Sequence, residues 1–389
     1  MNKGPAYNYF LPGLIFFIFV SGMGWFRHYI FFFLSVCIPA LSSCIKSPDA
    51  GQFAPPQLGT VQVQAQDCFS VLMQGSMQQP EGEMLGGLVY GFYYGTDEDN
   101  LARVVAKGGQ SSFSASVDGL SIGANYICKP FVKNGVLEVT GPAIEFRTLD
   151  PFDDAVFRSY VMENFDSDGN GGISRGEAEK VREIRIDSSG VGSLKGVEVF
   201  TYITFLSCCN NSIKELDLSR NIYLDGLHAE RNLIESLDLR ANKDLKTLIC
   251  WENRLKSINV EGLESLEVFF CWMNNLTELD ITTNVSLEHF GCAQNEITEL
   301  DLSNNERMLS LAPNNTLIST LDLSHCPELF SLEIQGADNM VEVDVSCCPQ
   351  LRLLHAYECT NLKTIYIHQG QEIEDLRKEN HTALVEKQR

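Results

Sequence analysis

The sequence predicts a multidomain, mainly β protein in which a sandwich of short strands, an acidic helix–loop–helix and a long repeat solenoid follow one another. Three observations predict this order: β-rich runs at regular spacing over 61–149, an acidic loop between two amphipathic segments over 150–183, and a 21-residue repeat over 184–370. With 389 residues, 44% of them hydrophobic, the chain is long enough to bury more than one core.

The net charge of the chain limits the classes of partner that we expect it to bind. Its formal net charge is −22 at pH 7. Surfaces that bind nucleic acid or anionic lipid need clustered Lys and Arg side chains to neutralise phosphates. We therefore expect no nucleic-acid partner, and a partner that is neutral or basic.

The first 43 residues have the order of a signal peptide region. The pair Arg27–His28 precedes an apolar run, Tyr29–Leu41, and small residues follow it. This segment resembles a bacterial lipoprotein signal, which implies a lipid on Cys44 and a location in the cell envelope, at the outer membrane or cell surface. The Pro- and Gly-rich segment 44–60 is expected to form a lipidated tether. A plain signal peptide and an uncleaved anchor are the alternatives.

Short aromatic and β-branched runs over 61–149 predict an all-β sandwich. Gly, Asp and Asn separate the runs at a spacing of about ten residues, which is typical of sandwich strands. The stretch Leu120–Tyr126 resembles the tyrosine corner of fibronectin type III-like domains, which implies that the Tyr126 hydroxyl bonds to the backbone upstream. Cys68 and Cys128 either pair or remain buried thiols. We expect this domain to be a spacer.

An acidic loop, FDSDGNGGISRGE, occupies Phe165–Glu177. Oxygen-bearing side chains recur at alternate positions and end in an acidic residue, as in a calcium-binding EF-hand loop, which the stretch resembles. The resemblance implies calcium as the cofactor and a single EF-hand-like joint over 150–183. The alternative is an acidic turn that stays empty, because the chain has no second loop of this kind. The implied ligands are Asp166, Asp168, Asn170, Gly172 through its carbonyl, Ser174 through a water, and Glu177 through both oxygens.

The same loop contains a G-x-S-x-G pattern, Gly172–Gly176, which is found in serine hydrolases. A hydrolase needs that serine on a strand-to-helix elbow with a supporting His and Asp. The seven His residues are scattered, and the serine lies inside an acidic loop. We therefore expect no enzymatic activity and no catalytic residues, with a hydrolase as an unfavoured alternative.

A 21-residue repeat predicts the solenoid. Each row follows the pattern L-x-x-L-x-C-x-x-N-x-L-x-x-L-D-L-S-x-N and resembles an internalin-like leucine-rich repeat, with about eight turns over 184–370 and a C-terminal cap over 371–389. Such turns stack because none of them can bury its apolar side alone. The rows begin at Ile203, Leu224, Leu245, Leu266, Leu287, Met308, Leu329 and Leu351.

Strand alternation assigns the repeated Cys-Trp pairs to opposite faces. Cys250 and Cys271 are expected inside, as small core residues, whereas Trp251 and Trp272 are expected side by side on the outer face of the sheet. Exposed aromatic side chains anchor protein partners and stack on sugar rings. The alternative is that the aromatics cover each other or rest against the end domains. The predicted ligand face comprises Ile249, Trp251, Phe270, Trp272 and His289.

Together these features favour a membrane-anchored extracytoplasmic binding protein. Its solenoid face would recognise a protein or glycan partner, in adhesion or a related interaction. A structural or assembly lipoprotein of the cell envelope is the alternative.

Overall fold

The computed structural model describes residues 56–78, 87–109, 111–134 and 137–387, which belong to one compact unit. The signal peptide region and the lipidation site Cys44 lie outside the described residues. Strand β1 begins at Gln57, inside the stretch expected to be a tether, because its pairing with β2 resumes at Leu58 beyond an irregularity between Leu58 and Val61. Within the described residues, no helix has both the length and the apolar character needed to cross a membrane.

Two antiparallel sheets form the first part of this unit. One sheet has the order β1-β2-β6-β5, and the other has the order β4-β3-β7-β8, with β9 also paired to β7. Val71, Met73, Phe92, Phe113 and Cys128 are buried in a shared core, as strand alternation requires. The strands are β1 (Gln57–Ala65), β2 (Val71–Gln78), β3 (Val89–Gly95), β4 (Ala102–Val105), β5 (Lys107–Gly108), β6 (Ser112–Val117), β7 (Asn125–Asn134), β8 (Leu137–Thr140) and β9 (Ile144–Arg147).

Two helices flank the acidic loop, α1 (Ala155–Phe165) and α2 (Arg175–Ala178). Asp154 caps α1, since its side chain accepts hydrogen bonds from the N–H groups of Val156 and Phe157. Helix α2 is a single turn and is shorter than the sequence predicts. The chain leaves the helix early because Val181 and the strand that follows are drawn into the solenoid core.

The solenoid is built on a ten-stranded parallel sheet with the order β10-β11-β12-β14-β16-β17-β18-β19-β21-β23. The predicted number of turns, about eight, is wrong: strands before the first predicted row and inside the predicted C-terminal cap extend the stack. The strands are β10 (Glu183–Arg185), β11 (Phe205–Ser207), β12 (Gly226–His228), β13 (Ser236–Asp238), β14 (Thr247–Ile249), β15 (Ser257–Asn259), β16 (Val268–Phe270), β17 (His289–Gly291), β18 (Ser310–Ala312), β19 (Ser331–Glu333), β20 (Glu342–Asp344), β21 (Leu353–Ala356), β22 (Thr364–His368), β23 (Asp375–Lys378) and β24 (Ala383–Lys387).

The repeat pattern predicts two strands per row, with the L-D-L-S segment as the second, but this second strand forms in only some of the described turns. It gives the pair β13-β15 and the trio β20-β22-β24. Elsewhere the repeated Asp makes a tight turn: Asp280 accepts a 2.9 Å hydrogen bond from the N–H of Thr282, and Asp301 accepts one of the same length from Ser303. Asp344, at the end of β20, accepts the same kind of bond from the N–H of Ser346 (3.0 Å), so this turn is common to rows with and without the second strand.

Two asparagine ladders fasten the stacked turns. Asn274 donates through Nδ2 to the carbonyls of Cys250 (3.1 Å) and Cys271 (3.0 Å), and its Oδ1 accepts from the N–H of Leu255 (2.9 Å). The Asn that recurs at the turn of successive rows, as at Asn253, Asn274 and Asn295, predicts this first ladder, since its amide can satisfy backbone groups inside the coil. The sequence does not predict the second, in which fully buried Asn242 donates to two carbonyls of the preceding turn. Its members are Asn221, Asn242, Asn284 and Asn305.

Residues from the turns of the sandwich extend the hydrophobic core of the solenoid. Phe69 and Ile122 from the sandwich lie in the same buried cluster as Phe157 of α1 and the first solenoid leucines. Polar contacts reinforce the joint, because Asp154 accepts a 2.8 Å hydrogen bond from the N–H of Gly192. The helix–loop–helix is therefore packed between the two larger parts of the molecule.

Candidate functional site

The predicted ligand face lies on the outer surface of strands β14, β16 and β17. We call Ile249, Trp251, Phe270, Trp272 and His289 the aromatic face. Leu248 and Phe269 point into the core between these outward positions and are fully buried. All five side chains of the aromatic face are half-buried.

The two tryptophans stack on each other. Their ring centroids lie 5.6 Å apart with an interplanar angle of 18°, and the ring of Phe270 lies 4.9 Å from that of Trp272. Gly291 allows this arrangement, since a Cβ at that position would lie only 3.1 Å from the Trp272 ring. The aromatics therefore cover one another in part, as the alternative interpretation expects, yet each remains partly open to solvent.

A cation closes one end of the stack. The Arg231 guanidinium lies 4.8 Å from the centroid of the Trp251 ring, and its Nε donates to Glu252 at 2.8 Å. Cation–π contacts of this kind add about 0.5–1 kcal/mol at exposed sites. The salt bridge and the ring contact together hold the Trp251 face in one orientation.

His289 lies beside the other aromatic residues rather than among them. Strand register pairs it with Val268 and Ser310, whereas Gly291 occupies the position that corresponds to Phe270. His289 instead lines an adjoining groove of about 850 Å³. The groove is lined by His289, Leu309, Ser310, Pro327, Glu328, Phe330, Pro349 and Gln350.

This groove contains the functional candidate that sequence reasoning missed. Phe330 is 53% exposed, and Leu309 lies next to it one turn earlier. Both follow the first apolar residue of their rows. Other rows have Lys246 or Glu267 at this position. Two apolar residues at a position that is polar in those rows therefore indicate a candidate site in the sequence. An exposed Phe beside two prolines forms an apolar surface, which meets the aromatic face at His289.

The acidic loop is folded around the side chain of Asp166, which directly follows α1. Its Oδ1 accepts hydrogen bonds from the N–H groups of Gly169 (2.8 Å) and Asn170 (3.2 Å), and its Oδ2 accepts one from Gly171 (2.8 Å). Gly169 and Gly171 have φ values of 69° and 81°, a left-handed conformation that favours glycine. The glycines therefore let the loop curl back over its own carboxylates.

Three carboxylates converge in this loop. Oxygen atoms from Asp166, Asp168 and Glu177 lie within 4.8 Å of one another. Calcium binds oxygen at about 2.3–2.6 Å, so two ligands on opposite sides of one ion lie about 5 Å apart. The arrangement fits a calcium ion, and the hard oxygen donors match its preference.

The remaining implied ligands lie in the same loop. Asn170 Oδ1 accepts from the N–H of Gly172 (2.9 Å), and Ser174 Oγ donates to Glu177 Oε2 (2.9 Å). Ser174 also accepts from the N–H of Glu177 and thus caps α2. The serine of the G-x-S-x-G pattern therefore bonds to a carboxylate and a helix N-terminus.

Glu177 is held ready in its ionised form. It is 6% exposed, and burial opposes its charge, but hydrogen bonds from Ser174 and Ser167 outweigh burial and lower its pKa to about 2. Its Oε1 accepts from the N–H and the hydroxyl of Ser167, and its Oε2 accepts from the N–H and the hydroxyl of Ser174, so a bound cation would replace some of these donors. Glu177 is thus charged at every pH at which a calcium ligand would be needed.

No family model matches this sequence, and no curated protein matches it. Among solved structures, the chain is similar to the functional domain of InlJ from Listeria monocytogenes, which includes a cysteine ladder, at 20% identity over 60% of this chain and 70% of that one, with a TM-score of 0.31. It is similar to a leucine-rich repeat protein of Leptospira interrogans at 18% identity over 50% of this chain and 56% of that one, with a TM-score of 0.44. An internalin of Listeria monocytogenes shares 18% identity over 56% and 83% of the two chains, with a TM-score of 0.33. Internalins and other leucine-rich repeat proteins are thus among the solved structures that this solenoid is similar to.

Proposed function

We propose that the chain is an interaction protein whose aromatic face binds a protein partner, and that a lipid on Cys44 holds it at the cell envelope. The observation that carries the proposal is the half-exposed Trp251–Trp272 stack on the outer surface of the solenoid sheet. Tryptophan is enriched among the residues that dominate binding energy, and a rigid stack loses little conformational entropy when a partner covers it. The solenoid supplies the rigid support.

The surroundings of the face favour a partner with an apolar anchor and a basic rim. Phe330 and its neighbouring prolines line an apolar groove that also contains His289 of the aromatic face. The chain as a whole carries a net charge of −22, which attracts basic partners and repels acidic ones. A glycan that stacks on the indole rings is the other ligand class that this geometry accepts.

The test compares two stacked aromatic pairs on one molecule. Tyr202 and Tyr223 also stack, at 5.5 Å and 7°, and are 41% and 45% exposed, but they lie away from the aromatic face. The compact unit 55–389 would be screened on arrays of purified extracellular proteins and of glycans. The double substitution W251A/W272A is expected to weaken array binding about 100-fold or more, as loss of two central anchors does, whereas Y202A/Y223A is expected to leave it unchanged.

The screen has a direct optical check. Trp251 and Trp272 are the only tryptophans in unit 55–389, since the third, Trp25, precedes it. A ligand bound at the aromatic face must therefore change the intrinsic tryptophan fluorescence during titration. Equal binding by both double variants, or binding without a fluorescence change, would contradict the proposed face. Capture only of components of the cell's own envelope would favour an assembly lipoprotein instead.

We further propose that the acidic loop binds calcium. The support is the convergence of three carboxylates within 4.8 Å in a loop whose other implied ligands also carry oxygen. The ion would supply positive charge that offsets the mutual repulsion of Asp166, Asp168 and Glu177. The loop lies between sandwich and solenoid, so the ion would strengthen their joint.

Substitution of the last loop ligand tests calcium binding. E177Q removes one negative charge and one ionised ligand oxygen, and we expect calcium affinity in isothermal titration calorimetry to fall at least about tenfold. E179Q is the matched control, because Glu179 is exposed and lies outside the implied ligand set. An affinity for calcium that is equal in both variants would rule the site out.

A further inference from the structure

The acidic loop lies directly against the corner of the sandwich between β6 and β7. The N–H of Ile122 donates a 2.8 Å hydrogen bond to the carbonyl of Ile173, the residue in the middle of the loop's second half. Both isoleucine side chains are fully buried in the same core. The loop is therefore joined to the sandwich by a backbone bond and by apolar packing at the same point.

Two of the implied ligands touch this corner. Asn170 Nδ2 donates to Asp168 Oδ2 inside the loop at 2.9 Å and to Ser121 Oγ of the corner at 3.4 Å, and the two contacts together orient the amide whose Oδ1 faces the loop. Gly172 packs even closer, since a Cβ there would lie 2.8 Å from the carbonyl oxygen of Ile122 and 3.0 Å from the Ser121 Cβ. The corner thus fixes both a side-chain ligand and a backbone ligand.

A third contact clamps the end of the loop. Arg175 Nη2 lies 3.2 Å from Asp67 Oδ2 and 3.3 Å from Asp118 Oδ1, and its guanidinium lies 4.8 Å from the centroid of Phe69. Both aspartates belong to turns of the sandwich. Exposed ion pairs are weak singly, but this one adds a ring contact that limits movement of the loop.

The corner is itself held by a residue that does not contact the loop ligands. The hydroxyl of Tyr126, which is 8% exposed, accepts a 2.9 Å hydrogen bond from the N–H of Ser121. Thr148 Oγ1 donates to the carbonyl of Ser121 at 2.6 Å. Ser121 is therefore fixed at both of its backbone groups, and Ile122 with it.

We infer that the Ser121–Ile122 corner is part of the calcium site: it preorganises Asn170 and Gly172, so that calcium affinity and sandwich stability are linked. This inference rests on the calcium site proposed above. Ile122 and Tyr126 are positioning residues, which act through the loop and do not touch the ion. A loop that is already ordered loses less conformational entropy when it binds. Linkage is reciprocal, so the ion must stabilise the sandwich by the same factor.

Two glycines of the loop give a matched test. Neither Gly172 nor Gly176 has a left-handed backbone, and a Cβ at Gly176 would meet nothing within 4 Å. G172A keeps the carbonyl ligand but forces loop and corner apart, so we expect calcium affinity in calorimetry to fall about tenfold, within the usual range of coupling between sites. G176A is expected to bind as the wild-type chain does.

Y126F tests the same link from a distance. Loss of the hydroxyl frees the N–H of Ser121, and we expect calcium affinity to fall about fivefold and the calcium-induced rise in Tm to shrink in proportion. Amide exchange at Ile122 is expected to slow when calcium binds the wild-type chain, and to slow less in G172A. Circular dichroism establishes whether each variant is folded. If Y126F does not fold, the comparison of G172A with G176A tests the link to the sandwich without it.

The outcomes separate the two proposals. If the wild-type chain does not bind calcium, the calcium site itself is wrong. If the wild-type chain binds and E177Q does not, but G172A and G176A bind equally, the site stands and the link to the sandwich is wrong. Weaker binding by G172A alone, with altered exchange at Ile122, supports the link.

Discussion

At the scale of single residues, the buried asparagines show how much one side chain can fasten. Asn274 is 8% exposed and satisfies the N–H of Leu255, the carbonyl of Cys250 in the preceding turn and the carbonyl of Cys271 in its own turn. In the corresponding position of a later row, Thr316 makes one such bond, to the carbonyl of Pro313 (2.8 Å). Asn274 therefore hydrogen-bonds to more backbone groups than Thr316 does at the equivalent position.

This difference predicts unequal losses of stability. N274A leaves several buried backbone groups without partners, each at about 1–3 kcal/mol, so we expect a loss of about 3–4 kcal/mol in the free energy of unfolding. T316A frees one carbonyl, and we expect a loss of about 1 kcal/mol. Urea titration followed by tryptophan fluorescence measures both. Equal losses in the two variants would contradict the ladder as a source of stability.

Residue-level interpretation of the sequence succeeds where a pattern is periodic. The inward position of Cys250 and the outward position of Trp251 follow from strand alternation alone. The role of Gly291 does not, because it depends on the close approach of the Trp272 ring in the neighbouring turn. The exposed Phe330 can be predicted from its position in the repeat. Its groove also depends on Pro327 and Pro349, which are not part of the repeat pattern.

At the scale of elements, the parallel sheet was predictable and its companion strands were not. The apolar residues of every row favour the main strand, since they must meet the same residues one turn away. Asp-centred turns follow this position both where the second strand is absent, as at Asp280, and where it forms, as at Asp344, so the Asp does not decide whether the strand forms. Helix α2 was overestimated because tertiary packing of Val181 ends it early.

The acidic loop was the most predictable element, since its ligand spacing is written in consecutive residues. Its neighbour in space was not predictable. Ile122 lies 51 positions before Ile173 in the chain, and only the folded sandwich brings their backbones together. Spacing along the sequence defines a candidate site, whereas its rigidity depends on contacts that spacing does not contain.

At the scale of the whole molecule, the solenoid is a stack in which each turn contacts mainly its neighbours. Strand register advances by one repeat, as in the pairs Phe269–Phe290 and Phe290–Leu311. Stability in such a stack is approximately a sum of turns and the interfaces between them. The length of the stack is therefore adjustable in whole turns and in no smaller unit.

Removal of one turn tests this modularity. Deletion of Leu287–Arg307, which is 21 residues, joins equivalent positions of adjacent rows, and we expect a folded chain that melts cooperatively at a lower Tm. Deletion of residues 287–297 shifts every later row out of register, so we expect it to lose the solenoid circular dichroism spectrum. Similar spectra for both deletions would contradict the stacked-turn account.

The column of interior cysteines has a consequence for the folding of each newly made chain. Cys208, Cys250, Cys271 and Cys292 are fully shielded, and burial raises the pKa of Cys292 to about 12, so the finished protein exposes none of these thiols to oxidants. A newly made chain lacks that shield. The solenoid must therefore fold before these thiols are oxidised. Disulfides formed in the unfolded chain would join the wrong turns and prevent them from stacking in order.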